Sequence, residues 1–242
     1  MEAGGIRNRQ SRRSTAQWAE GHPVAATPGR EVCDHPRMTP DHDHHHDHDD
    51  HHDHGHHHDA DIPYADAVRA FRVDKDAYFR SGERSPIPVA ERADFTGLPY
   101  FDVDESLRFE GLALEPYAGT EPTTFTIPTS DGRLRPAERA GTFRFEVGGV
   151  PCTLTAYIFE GGSTESVFVP FLDGTTGVES YGAGRYLDLE REDDGTFALD
   201  FNIAYHPSCV YDPRFSCPLT PAENRLPVRI EAGERLPEAP AD

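Results

Sequence analysis

The glycine-rich stretch from Phe171 to Gly184 gathers Asp173, Thr175, Thr176, Glu179 and Tyr181 and ends at Arg185. A carboxylate held in such a loop can take a proton from a bound molecule, so Glu179 and Asp173 are the candidate catalytic groups. Arg185 fits either of two roles, a structural ion pair or a fork that grips a ligand carboxylate or phosphate. The glycine spacing is not that of a phosphate-binding loop, because no Gly-Lys-Ser/Thr follows. A second polar stretch, YHPSCVYDPRFSCPLTPAEN from Tyr205 to Asn224, holds four prolines and no helical or strand period. Side chains must therefore pin it. Cys209 and Cys217 could do so as a disulfide, as metal ligands with His206, or as reduced, packed thiols. The disulfide would close about nine residues and add roughly 2.6 kcal/mol in a chain-entropy treatment. The His-x2-Cys-x7-Cys spacing matches no common zinc knuckle. Glu223 and Asn224 are structural candidates that brace the stretch through backbone groups. No GxSxG elbow occurs, and Ser208 beside His206 and Cys209 is not a triad arrangement.

A third group of residues is metal-ligating in type. His42, His44, His45, His46, His48, His51, His52, His54, His56, His57 and His58 alternate with aspartates. Imidazole and carboxylate together favour zinc, nickel, copper and cobalt, so the tract is expected to take up zinc or nickel. It lacks the fixed geometry of a catalytic metal site. It reads either as a metal buffer or delivery arm or as a solvated tail with incidental affinity. Nothing else in the sequence calls for a cofactor.

The elements that must position the two loops are mostly strands. One helix is expected over Tyr64–Phe79, with Asp61 as cap, Pro63 in its first turn, and Tyr64, Val68, Phe71, Tyr78 and Phe79 on one stripe. It should end by Gly82. Beyond Pro86 and Pro88, glycine and proline punctuate short runs in the manner of a β-sandwich or barrel. Phe143, Phe145 and Val147 alternate with polar residues up to Gly148-Gly149, and Val150, Cys152 and Leu154 continue the alternation. This predicts a two-residue hairpin with Val147 opposite Val150, Phe145 opposite Cys152 and Phe143 opposite Leu154, all six facing the core. A second hairpin is expected to join RYLDLE to TFALDFNIAY through Asp193-Asp194-Gly195, with Phe197, Leu199, Phe201, Ile203 and Tyr205 on one face. The opposite face carries Asp188, Asp200 and Asn202, either as a binding face or as a solvated one. Tyr181, Arg185, Asp188, Asn202 and Tyr205 form the candidate ligand-binding set, in a pocket where the 171–185 and 205–224 loops meet.

Charge narrows the partners. Asp and Glu number 43 against 23 Lys plus Arg, for a net charge of −20, and Lys75 is the only lysine. An acidic surface repels nucleic acid and anionic membrane, which excludes both as partners. No apolar run is long enough to span a bilayer. With no secretory signal pattern, the expected compartment is the cytoplasm. Residues 1–37 carry six Arg against four acids, have no periodicity and should be disordered. The chain turns acidic from Met38, which makes Met38 the expected translation start and 1–37 a misassigned leader. Residues 38–61 form the Asp/His tail, and 62–242 form a single β-rich domain with 31 acids against 17 bases. This acidic, arginine-dominated composition fits a salt-adapted source. Nothing in the sequence specifies an oligomeric state.

From Phe168 the chain reads FVPFLDGTTGVESYGAGRYLDLE and then LDFNIAYHPSCVYDPRFSCPLTPAENRLPVRIEAGE. The PF-x-D-x-T-x-G, GRYLD and FN-x-AY-x-P-x-C blocks, followed by CP and EN, closely resemble domain-of-unknown-function family 1684, found in bacteria and archaea, haloarchaea included. The resemblance extends weakly upstream through FTGLPYF and the helix. It implies no established activity and no inherited catalytic residue. His206 stands where that pattern carries Asn, so a general base at His206 would not be a family-wide device. The reading is of a mainly β fold, a small barrel or curved sandwich with one N-terminal helix. Its leading function is small-molecule binding. The alternatives are a hydrolase- or isomerase-like enzyme using Glu179 or Asp173, and metal handling by the Asp/His tract.

Overall fold

The computed structural model describes residues 62–237. Asp61, the Asp/His tract, the arginine-rich leader and residues 238–242 lie outside the described residues. Helix α1 spans Tyr64–Ser81. Seven strands follow: β1 Arg108–Leu112, β2 Thr124–Pro128, β3 Leu134–Val147, β4 Val150–Phe159, β5 Ser166–Phe171, β6 Arg185–Glu190 and β7 Phe197–Asp200. β2 to β6 form one antiparallel sheet in chain order, while β1 and β7 pair as a separate ribbon. Phe143, Leu154, Val169, Phe171, Leu187, Phe197, Leu199 and Phe201 make the shared core. The result is a curved sandwich that does not close into a barrel. No helix among the described residues is long and apolar enough to cross a membrane.

Helix α1 buries Val68 and Phe79 on the expected stripe, but Lys75 is buried with them. Pro63 occupies the N-cap position without a side-chain cap, and α1 runs two residues past Phe79, until Gly82 turns extended and its N–H bonds Tyr78 O. The Phe79 ring then meets Tyr211 edge-on at 5.2 Å.

The β3–β4 hairpin has the expected register, with Val147 opposite Val150, Phe145 opposite Cys152 and Phe143 opposite Leu154. Gly148 and Gly149 sit at φ 56° and 84°, the pair of left-handed residues that matches a two-residue turn to strand twist. Burial of the six is graded rather than uniform. Phe143 and Leu154 are fully enclosed, Phe145 and Val147 half so, and Val150 is 38% exposed, because the hairpin tip lies at the edge of the sandwich. Gly149 has open space around it, so Gly149→Ala tests backbone strain alone. It is expected to lower stability by about 1 kcal/mol, read by urea unfolding, with the circular dichroism spectrum unchanged.

β4 and β5 are joined in an unusual way. Their register is set at Tyr157 opposite Phe168, which brings Thr155 to face Pro170. Pro170 has no N–H for the ladder. The Asn224 side chain supplies the missing rung: Nδ2 donates to Thr155 O at 2.8 Å and Pro170 O at 2.7 Å, and Oδ1 accepts from Thr155 N at 2.8 Å.

The second hairpin is shorter than its alternation predicts. The strand stops at Asp200, and Phe201–Ile203 turn into a 3-10 helix. The Asp200 carboxylate accepts from Asn202 N at 2.9 Å and from the Tyr64 hydroxyl at 2.6 Å, which ends the strand and ties α1 to it. Phe197, Leu199 and Phe201 still reach the core, but Ile203 and Tyr205 are only partly buried. The bend also separates the polar residues expected on one face. Asn202 turns inward to bond Asp104 N and Asp104 O, both at 2.8 Å, while Asp188 stays on the outer face of the five-stranded sheet.

Candidate functional site

The first loop folds its polar groups inward. Asp173 is buried, with Oδ2 accepting from Ile230 N at 2.6 Å and Oδ1 from the hydroxyls of Thr175 at 2.9 Å and Thr176 at 3.1 Å. Arg185 is fully buried and lies 3.4 Å from Asp173. Its other donors reach the carbonyls of Ile230 at 2.7 Å, Glu234 at 3.2 Å and Ala232. Burial draws its pKa down and Asp173 opposes that shift. Arg185 thus fastens the C-terminal segment 230–234 beneath the loop. Glu179 pairs with Arg229 at the surface instead. Tyr181 presents its backbone N–H to His206 Nε2 at 3.2 Å.

That histidine belongs to a second buried group. Glu234 lies 2.7 Å from Lys75 Nζ, accepts from His206 N at 2.7 Å and from the Tyr211 hydroxyl at 2.9 Å, and faces His206 Nδ1 at 3.6 Å. Burial works to raise the Glu234 carboxyl, but Lys75 and then His206 outweigh it and hold it below its ordinary value. His206 is pushed down to about 4, chiefly by burial, with Glu234 opposing. Its Nε2 accepts a hydrogen bond, so the ring is neutral with its proton on Nδ1. Sequence reasoning missed Lys75 and Glu234. The available signal was the chain's one lysine falling seven residues after Val68 and four before Phe79, on the apolar face of α1.

Cys209 and Cys217 are not joined by a disulfide, and Cys209 N donates to Cys217 Sγ at 3.3 Å. The hydrogen bond to Cys217 first, and burial second, raise the Cys209 thiol well above its ordinary value. Among the described residues no three His, Cys, Asp or Glu side chains are arranged to hold a metal ion. Cys217 is pinned to the β2–β3 turn through Ser130, and Glu223 accepts from Arg139 at 2.9 Å and Tyr157 at 3.0 Å.

An open cavity of about 250 Å³ lies on the outer face of the five-stranded sheet, beside the second loop. Tyr157, Phe168 and Asp188 stand directly opposite one another there on β4, β5 and β6. Phe168 meets Tyr186 edge to face at 4.8 Å, and Tyr186 meets Tyr205 at 5.7 Å and 86°. The Tyr205 hydroxyl donates to Asp188 Oδ2 at 2.5 Å, and the Tyr186 hydroxyl donates to Pro218 O. Across the cavity the Arg135 guanidinium stacks over Phe159, 3.6 Å from the ring centroid. Lys75 Nζ lies 4.8 Å from the Tyr205 ring, so Tyr205 links this wall to the buried Lys75–Glu234 pair. Of the five expected ligand contacts, the cavity holds Asp188 and Tyr205. Tyr181, Arg185 and Asn202 lie elsewhere, because the space between the two loops is filled by their own contacts, Thr220 Oγ1 to Ala183 O at 2.8 Å among them. Tyr157, Phe159, Phe168 and Tyr186 of β4 to β6 point away from the sandwich core, unlike Phe171, which a strand alternation shows but a pocket search confined to loops does not.

Chemically, the cavity offers apolar ring faces, two carboxylates, Asp188 with a tyrosine hydroxyl on it and Glu160 at the exposed rim, and one guanidinium. The family model described as "Protein of unknown function (DUF1684)" matches residues 93–235. The solution NMR structure of an uncharacterized protein from Haloarcula marismortui is similar, with 39% identity and a TM-score of 0.53, covering 70% of this chain and 92% of that one. No curated protein matches.

Proposed function

For this chain, which belongs to the DUF1684 family of proteins of unknown function, we propose that the outer-face cavity binds a small molecule. The observation that carries this reading is the cavity itself: about 250 Å³, walled by Phe168, Tyr186 and Tyr205, with Asp188, Glu160 and Arg135 as its charged groups. Ligand pockets are concave, mostly apolar and equipped with a few oriented polar groups. The volume is just below the roughly 300–1,000 Å³ of drug-sized sites, which suits a small metabolite. The two hydroxyls on its aromatic walls are committed, Tyr205 to Asp188 and Tyr186 to Pro218, so the rings are held in place before a ligand arrives. Asp173 and Glu179 do not line the cavity, and a catalytic use of either finds no support in its surroundings.

The test is native mass spectrometry of the full-length protein purified without denaturation. The wild type is expected to carry a small adduct, and Ser166→Trp, which fills the cavity from β5, is expected to lose it. Wild-type protein free of any adduct, in preparations from its own source cells, would count against binding. So would an adduct that the filled variant retains.

A further inference from the structure

We propose that Cys209 and Cys217 form a reversible thiol–disulfide pair that locks the 205–224 loop when its surroundings turn oxidising. The proposal stands apart from ligand binding at the outer-face cavity. The two cysteines are eight residues apart and already in contact. Cys209 N donates to Cys217 Sγ at 3.3 Å, and the two thiols share a hydrogen bond. No covalent bond joins them. A disulfide places its Cβ atoms about 3.8 Å apart, which two side chains in contact reach by a small rotation rather than by rebuilding the loop. The surroundings give the bond something to hold. Cys217 is buried, with its N–H donating to Ser130 Oγ at 3.1 Å and its carbonyl accepting from Ser130 N at 2.8 Å, in the turn between β2 and β3. Cys209 is half-buried and lies in the 3-10 turn Ser208–Val210. Between them Tyr211 packs on Phe79 of α1 at 5.2 Å and donates to Glu234 at 2.9 Å. A Cys209–Cys217 bond therefore closes a short loop whose Tyr211 grips α1 and the C-terminal segment, and whose end is fixed to the β2–β3 turn.

The oxidant is a low-molecular-weight disulfide, and the exchange has an order. Cys209 is the more exposed sulfur. Its thiolate attacks the small disulfide, bonds to one half and expels the other, which leaves as a thiol with the proton that Cys209 gave up. Cys217 then loses its proton and attacks the Cys209 sulfur, and the second half leaves as a thiol. One small disulfide is reduced to two thiols, and the protein loses two hydrogens. The Ser130 and Tyr181 hydroxyls support the Cys209 thiolate, but the hydrogen bond to Cys217 and burial outweigh them and keep the thiol protonated. Exchange is therefore slow and follows the thiol–disulfide balance of the surroundings, in contrast to a low-pKa peroxide sensor. Cys152 lies in the sandwich core and serves as an internal control.

The test equilibrates the full-length protein overnight with reduced or oxidised glutathione, blocks the remaining thiols under denaturing conditions and maps tryptic peptides by mass. Arg214 lies between the two cysteines, so their disulfide appears as peptide 192–214 joined to peptide 215–225. The joined pair is expected in oxidised glutathione and should vanish in reduced glutathione, with Cys152 a thiol in both. Brief trypsin treatment of the native protein reads the lock. Cleavage after Arg214, whose side chain is 76% exposed, should slow by roughly tenfold or more on oxidation, because the bond restricts the opening of the loop. Cys209→Ser and Cys217→Ser should each abolish both the joined pair and the slowing. Cys209→Ala provides a second variant if serine disturbs the loop, and circular dichroism establishes that each variant is folded. Oxidised glutathione that leaves Cys209 unmodified, or only as its glutathione mixed disulfide, overturns the pairing. A joined pair that is cut after Arg214 as fast as the reduced protein overturns the lock.

Discussion

Arg185→Met is expected to lower the stability of the fold by about 3–5 kcal/mol, seen as a large drop in the urea midpoint. Native proteins are stable by roughly 5–15 kcal/mol, so this is a substantial share of the whole. Methionine keeps an unbranched chain between the Phe101 and Phe171 rings, which flank the guanidinium at 5.6 and 5.1 Å. It supplies none of the donors. Carbonyls of Ile230, Ala232 and Glu234 lose their partner, and Asp173 is left as a buried charge without its counter-ion. Breaking one side of a buried pair costs more than the pair contributes, because the remaining charge stays desolvated. Adding Asp173→Asn removes that charge while keeping an acceptor for Ile230 N. The double variant should therefore be less destabilised than the two single losses summed, by about 1–3 kcal/mol. A midpoint unmoved by Arg185→Met would show that the guanidinium is not what fastens the C-terminal segment.

The contrast between Arg185 and the β3–β4 hairpin marks what a single sequence makes legible. Phe143, Phe145 and Val147 meet Leu154, Cys152 and Val150 across two glycines, so alternation and turn chemistry specify their register locally. Helix α1 is legible for the same reason, from a periodic stripe and a proline-rich exit. Arg185 reaches backbone carbonyls 45 to 49 residues away, which no local pattern encodes. The alternation of β7 continues on paper through Tyr205, but the Asp200 side chain captures Asn202 N and the strand stops. This is the local competition by which Asp leaves regular structure for turns. The cavity was half legible. Asp188 and Tyr205 stand out in the sequence as polar residues on strands, whereas Phe168 comes from β5, whose adjacency to β4 only the folded sheet establishes, and Arg135 and Phe159 lie beyond the register shift between Arg139 and Gly141 of the β3–β4 hairpin. Asn224 shows the same limit. Its role follows from Pro170 lying opposite Thr155, a register absent from the sequence.

The second large effect is a loss of stability on acidification that traces to one histidine. The folded pKa of His206 is about 4, below the ordinary value of 6.5. Between these two values the unfolded chain holds a proton at this position that the folded protein does not. Stability therefore falls as pH drops through 6.5 and levels off near 4, the direction required when the unfolded state binds more protons. At about 1.4 kcal/mol per pH unit the window amounts to about 3 kcal/mol. The cause is geometric as well as dielectric. The Tyr181 N–H points at Nε2, so a second ring proton would set two donors face to face. The charges nearby are Glu234, which favours protonation, and Lys75 and Arg185, which oppose it. Glu234 itself is held below its ordinary value, so its contribution is present above 4.5 and is lost only as pH falls through its lower folded value. It adds no slope between pH 6.5 and 4.5. His206→Asn removes the titration while keeping a donor and an acceptor on the side chain. Urea midpoints measured from pH 7 to pH 4 should fall for both proteins, since other groups titrate as well, but less for the variant, by about 3 kcal/mol at the acid end. Parallel curves for the two proteins would mean that His206 accepts a proton in the fold, and that burial and the Tyr181 N–H do not hold it neutral.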